Sequence, residues 1–156
     1  MRDLKNALWM VGRSRYRSRT ERALALHLRG EARRDGLKLK SMNTRLEIEW
    51  YARDIHPWDR DDSQEKRSAL FVRGSLDDTD AAITRLFQTL PEIDVIELTV
   101  LQQHSECTIM AGTVNRSAVA PDSRLSAGMR LWQRGIKYHS DGFRFEPLAP
   151  TEHAAK

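Results

Sequence analysis

The stretch that decides the fold is the strongest strand pattern in the chain. It runs Asp94-Val95-Ile96-Glu97-Leu98-Thr99-Val100-Leu101. Apolar and polar residues alternate here, so that Ile96, Leu98 and Val100 share one face of a half-buried β-strand. A turn at residues 102–106 separates this stretch from a second apolar run at residues 108–114. We therefore predict that the two runs pair as an antiparallel hairpin.

Two more strands and a helix are predicted before this hairpin. Residues 45–52 alternate in the same way, and residues 69–72 form a short apolar run that ends at Gly74. The acids of residues 77–80 favour a helix N-terminus, where negative charge suits the dipole and the free amides. An apolar stripe at helical spacing follows, and Pro91 ends the helix.

A third helix and a short hairpin are predicted after it. The helix begins near Asp122 or Ser123 and ends at Gly135, a residue type that suits a helix C-terminus. Residues 137–145 contain an Asp-Gly pair that suits a tight turn between two short strands.

Together these elements predict an α+β fold. We expect a mainly antiparallel sheet of four to six strands, with two to three helices packed on one face. The order strand-strand-helix occurs twice, at residues 45–90 and 94–136. We assign residues 43–148 to a single α+β domain, residues 1–42 to a basic N-terminal arm and helix, and residues 149–156 to a disordered tail.

The charge of the chain is unevenly distributed. The net charge is +4, from 26 basic and 22 acidic side chains. Residues 1–42 carry twelve basic and four acidic side chains, a net +8, which leaves 14 basic and 18 acidic ones, a net −4, for residues 43–156. Within the basic segment, strong helix formers predict a helix over about 20–35.

The composition excludes several classes of protein. The chain has 156 residues, 40% of them hydrophobic, which is enough for one core. No apolar run approaches the ~18–20 residues of a membrane span. A lone cysteine, Cys107, excludes an internal disulfide and a CxxC metal site. We expect a soluble, cytoplasmic protein without a cofactor or a bound metal.

The polar loop between the first two predicted strands is the candidate recognition surface. Tryptophan beside proline in a charged loop is typical of a contact residue, and we select His56, Trp58, Asp59 and Arg60. A second interpretation is that the loop carboxylates pair with Arg53 and Arg60 while Trp58 packs on the sheet. A third is a divalent-metal hydrolase or nuclease that uses Asp54, His56, Asp59 and Asp61, although the spacing is not that of an EF-hand.

The basic segment has three interpretations. Basic residues alternate with small or aromatic ones, which suits phosphate neutralisation and base stacking on nucleic acid by Arg13, Arg15, Tyr16, Arg17 and Arg19. An Arg- and Ser-rich segment is also typical of a targeting presequence. Translation from Met42 would remove the segment altogether.

No catalytic motif of the phosphate-binding, dinucleotide, zinc-protease or serine-hydrolase type occurs in the sequence. Tyr138 and His139 near Arg144 suit either an anion or proton-transfer site or an exposed hairpin. We therefore favour a non-catalytic binding or regulatory module that acts through protein–protein contacts or self-association as a homodimer. Nucleic-acid binding through residues 1–40 is the first alternative, and the metal-dependent enzyme is the second.

Overall fold

The computed structural model describes residues 18–24, 38–42, 44–55, 57–105, 107–117 and 122–149. These residues fold into an α+β domain, which confirms the predicted fold class.

The described residues form three helices, a five-stranded sheet and a small two-stranded sheet. The helices are α1 (residues 18–24), α2 (Gln64–Thr89) and α3 (Ala127–Arg134). The large sheet contains β1 (Lys38–Met42), β2 (Arg45–Tyr51), β3 (Val95–Leu101), β4 (Thr108–Asn115) and β5 (Ile136–Lys137), hydrogen-bonded in that order. The small sheet pairs β6 (His139–Ser140) with β7 (Phe145–Glu146), and a 3-10 turn covers Pro57–Asp61.

The large sheet is mixed. β3 and β4 pair antiparallel, as predicted, but β2 and β3 lie parallel, with Ile48 beside Leu98. A parallel pair needs a long crossover that returns the chain to the same end of the sheet, and α2 provides it. The strand-strand-helix order is thus formed by β1, β2 and α2 and then by β3, β4 and α3.

One face of the sheet is apolar and the other is polar. Alternate residues of β2 and β3, such as Ile48 and Leu98, are buried, and they join buried residues of all three helices in one hydrophobic cluster. The helical members include Leu24 of α1, Leu86 of α2 and Leu131 of α3. Apart from the buried Leu101 at the end of β3, the intervening residues of these two strands are half-buried or exposed and largely polar, and Arg45 forms an ion pair with Glu97 on that face.

The predicted strand at residues 69–72 is wrong, because these residues lie within α2. The helix begins at Gln64, where Ser63 caps it by accepting the Lys66 amide at 3.3 Å. Its buried positions follow a helical spacing: Val72, Ser75, Thr79, Ala82, Ile83 and Leu86. Of the apolar run that resembled a strand, Val72 is therefore buried in the core and Phe71 packs against it, while Ala69 and Leu70 are half-buried.

The acids that resembled a helix start lie in the middle of α2, where they bind other elements. Asp78 accepts two hydrogen bonds from Arg53, which follows β2. Asp80 accepts a 2.9 Å hydrogen bond from Arg130 of α3, and Arg134 lies 3.8 Å away from it. These ion pairs link α2 to the segment that follows β2 and to α3. They also show that Arg53 pairs with the helix and not with the carboxylates of its own loop.

The third helix starts later than predicted, at Ala127, and the last hairpin has its turn at the predicted Asp-Gly pair. Ser126 caps α3, a few residues later than expected, and Gly135 ends it in the left-handed conformation at φ 98°. In the hairpin, Asp141 accepts hydrogen bonds from the amides of Phe143 and Arg144, both at 2.8 Å. These hydrogen bonds lower the pKa of Asp141 and hold the turn between β6 and β7.

Only a short piece of the region predicted to form the basic N-terminal helix is described, so that helix stays a prediction. Residues 20–24 are helical, whereas residues 25–35 lie outside the described part of the chain. Leu24 is 1% exposed within the core, and Arg19 donates hydrogen bonds to Glu92, at 2.6 Å, and to the Thr89 carbonyl, at 2.7 Å. The helical stretch thus contacts the C-terminal end of α2 and the turn that follows it.

Candidate binding cleft

A concave cleft of about 640 Å³ lies where β2 and β3 end. The Ala52 amide donates to the Leu101 carbonyl at 2.8 Å, which continues the parallel pairing just past both strands. Beyond that bond the chain turns in two directions, from β2 towards α2 and from β3 towards β4. The carboxyl ends of neighbouring parallel strands commonly border ligand sites, because diverging chains leave a crevice between them. The topology therefore creates this cleft.

Aromatic side chains form one wall of the cleft. The rings of Phe71 and Phe145 lie edge to face at 6.1 Å, and Phe145 is buried. The row continues away from the cleft to Tyr138, at 6.3 Å from Phe145, and from there to Trp132. Phe143 also lines the cleft and is 44% exposed. The cleft thus offers a fixed aromatic wall and one accessible ring.

Two arginines line the same cleft. Arg67 lies in the second turn of α2, and Arg144 precedes β7. The Nε of Arg67 is buried and has no hydrogen-bond partner. Within the part of the chain that the structure describes, neither guanidinium forms an ion pair with a carboxylate. A buried donor that lacks a partner carries a desolvation cost, so this guanidinium is prepared for an acceptor.

The remaining polar groups of the cleft are mostly neutral. Gln64 begins α2, and Gln102 and Gln103 follow β3. Asp54 is the one acidic residue among the described residues that line the cleft, and its Oδ1 accepts the Ile55 amide at 2.8 Å. A smaller hollow beside the cleft shares Arg144 and includes Glu65. The cleft therefore combines two guanidinium groups with amide donors and acceptors.

His104 lines the cleft from the turn between β3 and β4. Its φ is 66°, a left-handed conformation that non-glycine residues adopt only when their surroundings impose it. The Gln102 amide donates to the Cys107 carbonyl at 2.9 Å and closes this turn. His104 is thus an exposed residue that lines the cleft from a turn closed by a backbone hydrogen bond.

The loop selected from the sequence borders the cleft. Its first residues, Asp54 and Ile55, line the cleft, and so does Gln64 at its far end. Trp58 lies between them on the 3-10 turn and is 86% exposed, so its indole does not pack on the sheet. Asp59 is half-buried and Arg60 is exposed on the same turn. His56 lies outside the described residues.

The two alternatives involve residues that lie partly outside the described part of the chain, among them His56 of the metal-dependent enzyme. In the described part of the chain, no three His, Cys, Asp or Glu side chains lie close enough to share a metal ion. Arg13, Arg15, Tyr16 and Arg17 lie outside that part, so the nucleic-acid arm stays a prediction. Arg19 is described, and it is engaged with Glu92.

Sequence reasoning missed four residues that line the cleft: Arg67, Gln64, Gln102 and Gln103. Arg67 lies between the predicted loop and the predicted strand at residues 69–72, and neither prediction gave it a role, because the start of α2 was placed too late. The signal that could have found it is Ser63, which precedes a run of helix formers and has a glutamate two residues later. Arg144 had been noted only beside Tyr138 and His139.

Comparison of the chain with family models, with curated proteins and with solved structures found no match. Of the described helices, none is both long enough and apolar enough to cross a membrane.

Proposed function

We propose that this protein is a non-catalytic binding module that recognises a partner protein through the cleft and through Trp58 beside it. The observation that carries the proposal is the placement of Trp58. It is 86% exposed on a segment whose two ends, Ile55 and Gln64, both line the cleft.

The segment presents Trp58 from a defined backbone. The Asp62 amide donates to the Asp59 carbonyl at 3.2 Å and closes the 3-10 turn, and Ser63 then caps α2. An exposed indole held this way loses little conformational freedom on binding, and tryptophan is enriched among the residues that contribute most to protein interfaces. Phe143 supplies a second accessible ring within the cleft.

The test is a peptide-display selection on the full chain, followed by affinity measurements with the selected peptides. Trp58→Ala should weaken their binding about 30-fold, as expected for an interface residue worth about 2 kcal/mol. Its melting temperature should stay close to that of the wild type, because the side chain is mostly exposed. Trp132→Ala is the matched control, since it removes a tryptophan that is 55% exposed on α3.

Two results would refute the proposal. One is a selection that enriches no peptide. The other is a set of selected peptides that bind Trp58→Ala as tightly as they bind the wild type. Unfolding of Trp58→Ala would show instead that this side chain stabilises the domain.

The other sequence-based expectations stay predictions. They are a cytoplasmic location, self-association as a homodimer and nucleic-acid binding through residues 1–40. Binding to a polyanion that weakens steeply with added salt would support the nucleic-acid alternative.

A further inference from the structure

We infer that the cleft binds an oxyanion group, a carboxylate or a phosphate, on the peptide segment that it recognises, with Arg67 and Arg144 as its ligands. This inference rests on the proposed function and specifies the chemistry of the partner. From the sequence, Arg144 was considered only beside Tyr138 and His139, as one interpretation of the last hairpin, and Arg67 was not considered.

The first argument is the state of Arg67. Its Nε is shielded from solvent and has no hydrogen-bond partner, although the residue lines an open cleft. A charged donor group in this position is costly unless an acceptor arrives. A guanidinium presents its N–H groups in a planar fork that matches the two oxygens of a carboxylate or phosphate. Arg67 is half-buried as a whole, so an oxyanion in the cleft meets the accessible part of its side chain and offsets part of this cost.

The second argument is the set of charges around the cleft. Arg67 and Arg144 come from different elements, α2 and the β6–β7 hairpin, and both side chains line it. Against them stand Asp54, which also lines the cleft, and two carboxylates near Arg144 outside it: Glu65 in the neighbouring hollow and Asp141, whose pKa the Arg144 charge helps to lower. The first turn of α2 also lies at the cleft, and a helix N-terminus favours negative charge. The cleft thus favours an anion over a cation.

The third argument is the aromatic wall. Phe71, Phe143 and Phe145 line the same cleft as the arginines, so an apolar group would fit beside the anion. A free inorganic anion would use only the arginines. A peptide that carries an acidic or phosphorylated side chain next to an apolar one would use both. This combination favours a peptide as the occupant.

The first experiment measures the anion alone. Inorganic phosphate and acetate are titrated separately into the 15N-labelled full chain at constant ionic strength, with chloride as the reference. The Nε–H resonance of Arg67 should shift in a saturable manner at millimolar anion. Stronger binding of phosphate would indicate a phosphorylated partner, and stronger binding of acetate would indicate an Asp or Glu side chain.

Matched variants make the result specific. Arg144→Gln, at an exposed hairpin position, should weaken the saturable shift at least several-fold, and Arg67→Gln should abolish anion binding followed at the Gln64 amide. Arg73→Gln removes an exposed arginine of α2 that does not line the cleft, and it should bind like the wild type. The inference is overturned if neither anion gives a saturable shift, or if Arg144→Gln, correctly folded, binds both anions as the wild type does.

The selected peptides separate this inference from the proposed function. Peptides that require Trp58 but bind Arg67→Gln and Arg144→Gln normally would overturn the anion site and leave the binding module standing. Saturable phosphate or acetate binding together with a failed peptide selection would support the anion site and refute the module.

Discussion

Replacement of Leu24 by alanine tests whether α1 belongs to the folded domain. Leu24 is 1% exposed, and it shares a hydrophobic cluster with α2, α3 and the apolar face of the sheet. The substitution removes three carbon atoms, each worth about 0.8 kcal/mol of transfer free energy. The cavity that remains adds to this loss, so we expect the free energy of unfolding to fall by about 3 kcal/mol.

Urea and thermal denaturation measure this loss. In a chain of this size 1 kcal/mol corresponds to about 2–4 °C, so the melting temperature should fall by roughly 6–12 °C. Arg22→Ala is the control, because Arg22 is exposed on the same helical stretch and its loss should change stability by less than ~0.5 kcal/mol. If Leu24→Ala is as stable as this control, α1 is not part of the core.

A chain that starts at Met42 extends the same test. It loses Leu24, Ala23 and the Arg19–Glu92 ion pair together with residues 38–41 of β1, so it should be less stable than Leu24→Ala. Equal stability of the shortened and full chains would mean that residues 1–41 contribute nothing to folding.

Three further predictions concern glycines and pH. Gly74→Ala should stabilise the protein by about 0.5–1 kcal/mol in urea denaturation, because a Cβ there meets nothing within 4 Å inside α2; destabilisation would contradict the helical assignment. Gly112→Ala should lower the free energy of unfolding by more than ~2 kcal/mol, because the added Cβ would lie 2.3 Å from the Gly135 carbonyl oxygen. An unchanged free energy of unfolding would refute the close approach of these two glycines. The Arg19 hydrogen bond lowers the pKa of Glu92 from its ordinary 4.5. The ionised carboxylate therefore stabilises the folded state above pH 4.5, and this contribution is lost as the pH falls through the lowered pKa. In a carboxyl-carbon NMR titration, Arg19→Ala should return the pKa of Glu92 towards 4.5, and an unchanged pKa would exclude the ion pair.

The strands around residue 98 could be predicted because their alternation is local and strong. The start of α2 could not, for two reasons. Phe71 and Val72 precede Gly74 as they would at the end of a strand, and Asp78 and Asp80 imitate a helix start. The role of these aspartates is tertiary, since their partners are Arg53, Arg130 and Arg134 from other elements. Charge at a helix N-terminus and charge in a tertiary ion pair look alike in a sequence.

Of the candidate site, only the loop that carries Trp58 could be selected from the sequence. Trp58 stood out because its neighbours are charged, and the exposure of its side chain agrees with that signal. Arg67 and Arg144 are far apart in the sequence, and each is an ordinary arginine in its local context. They share a cleft because α2 starts beside the carboxyl ends of β2 and β3 and the β6–β7 hairpin returns to the same place. That convergence depends on the parallel pairing, for which the sequence carries no local signal.

The parallel pairing of β2 with β3 also determines when the domain can form during synthesis. Its pairs join residues 45–51 to residues 95–101, so β2 leaves the ribosome long before its partner exists. During that interval the described elements that can shelter Ile48 and Trp50 are α1, β1 and the nascent α2. Contacts between residues this distant in sequence form late, and an exposed apolar strand is prone to aggregate before it pairs with its partner strand. Fragments that end before residue 95 should therefore be aggregation-prone and poorly ordered. The domain should become compact only once β3 has been synthesised.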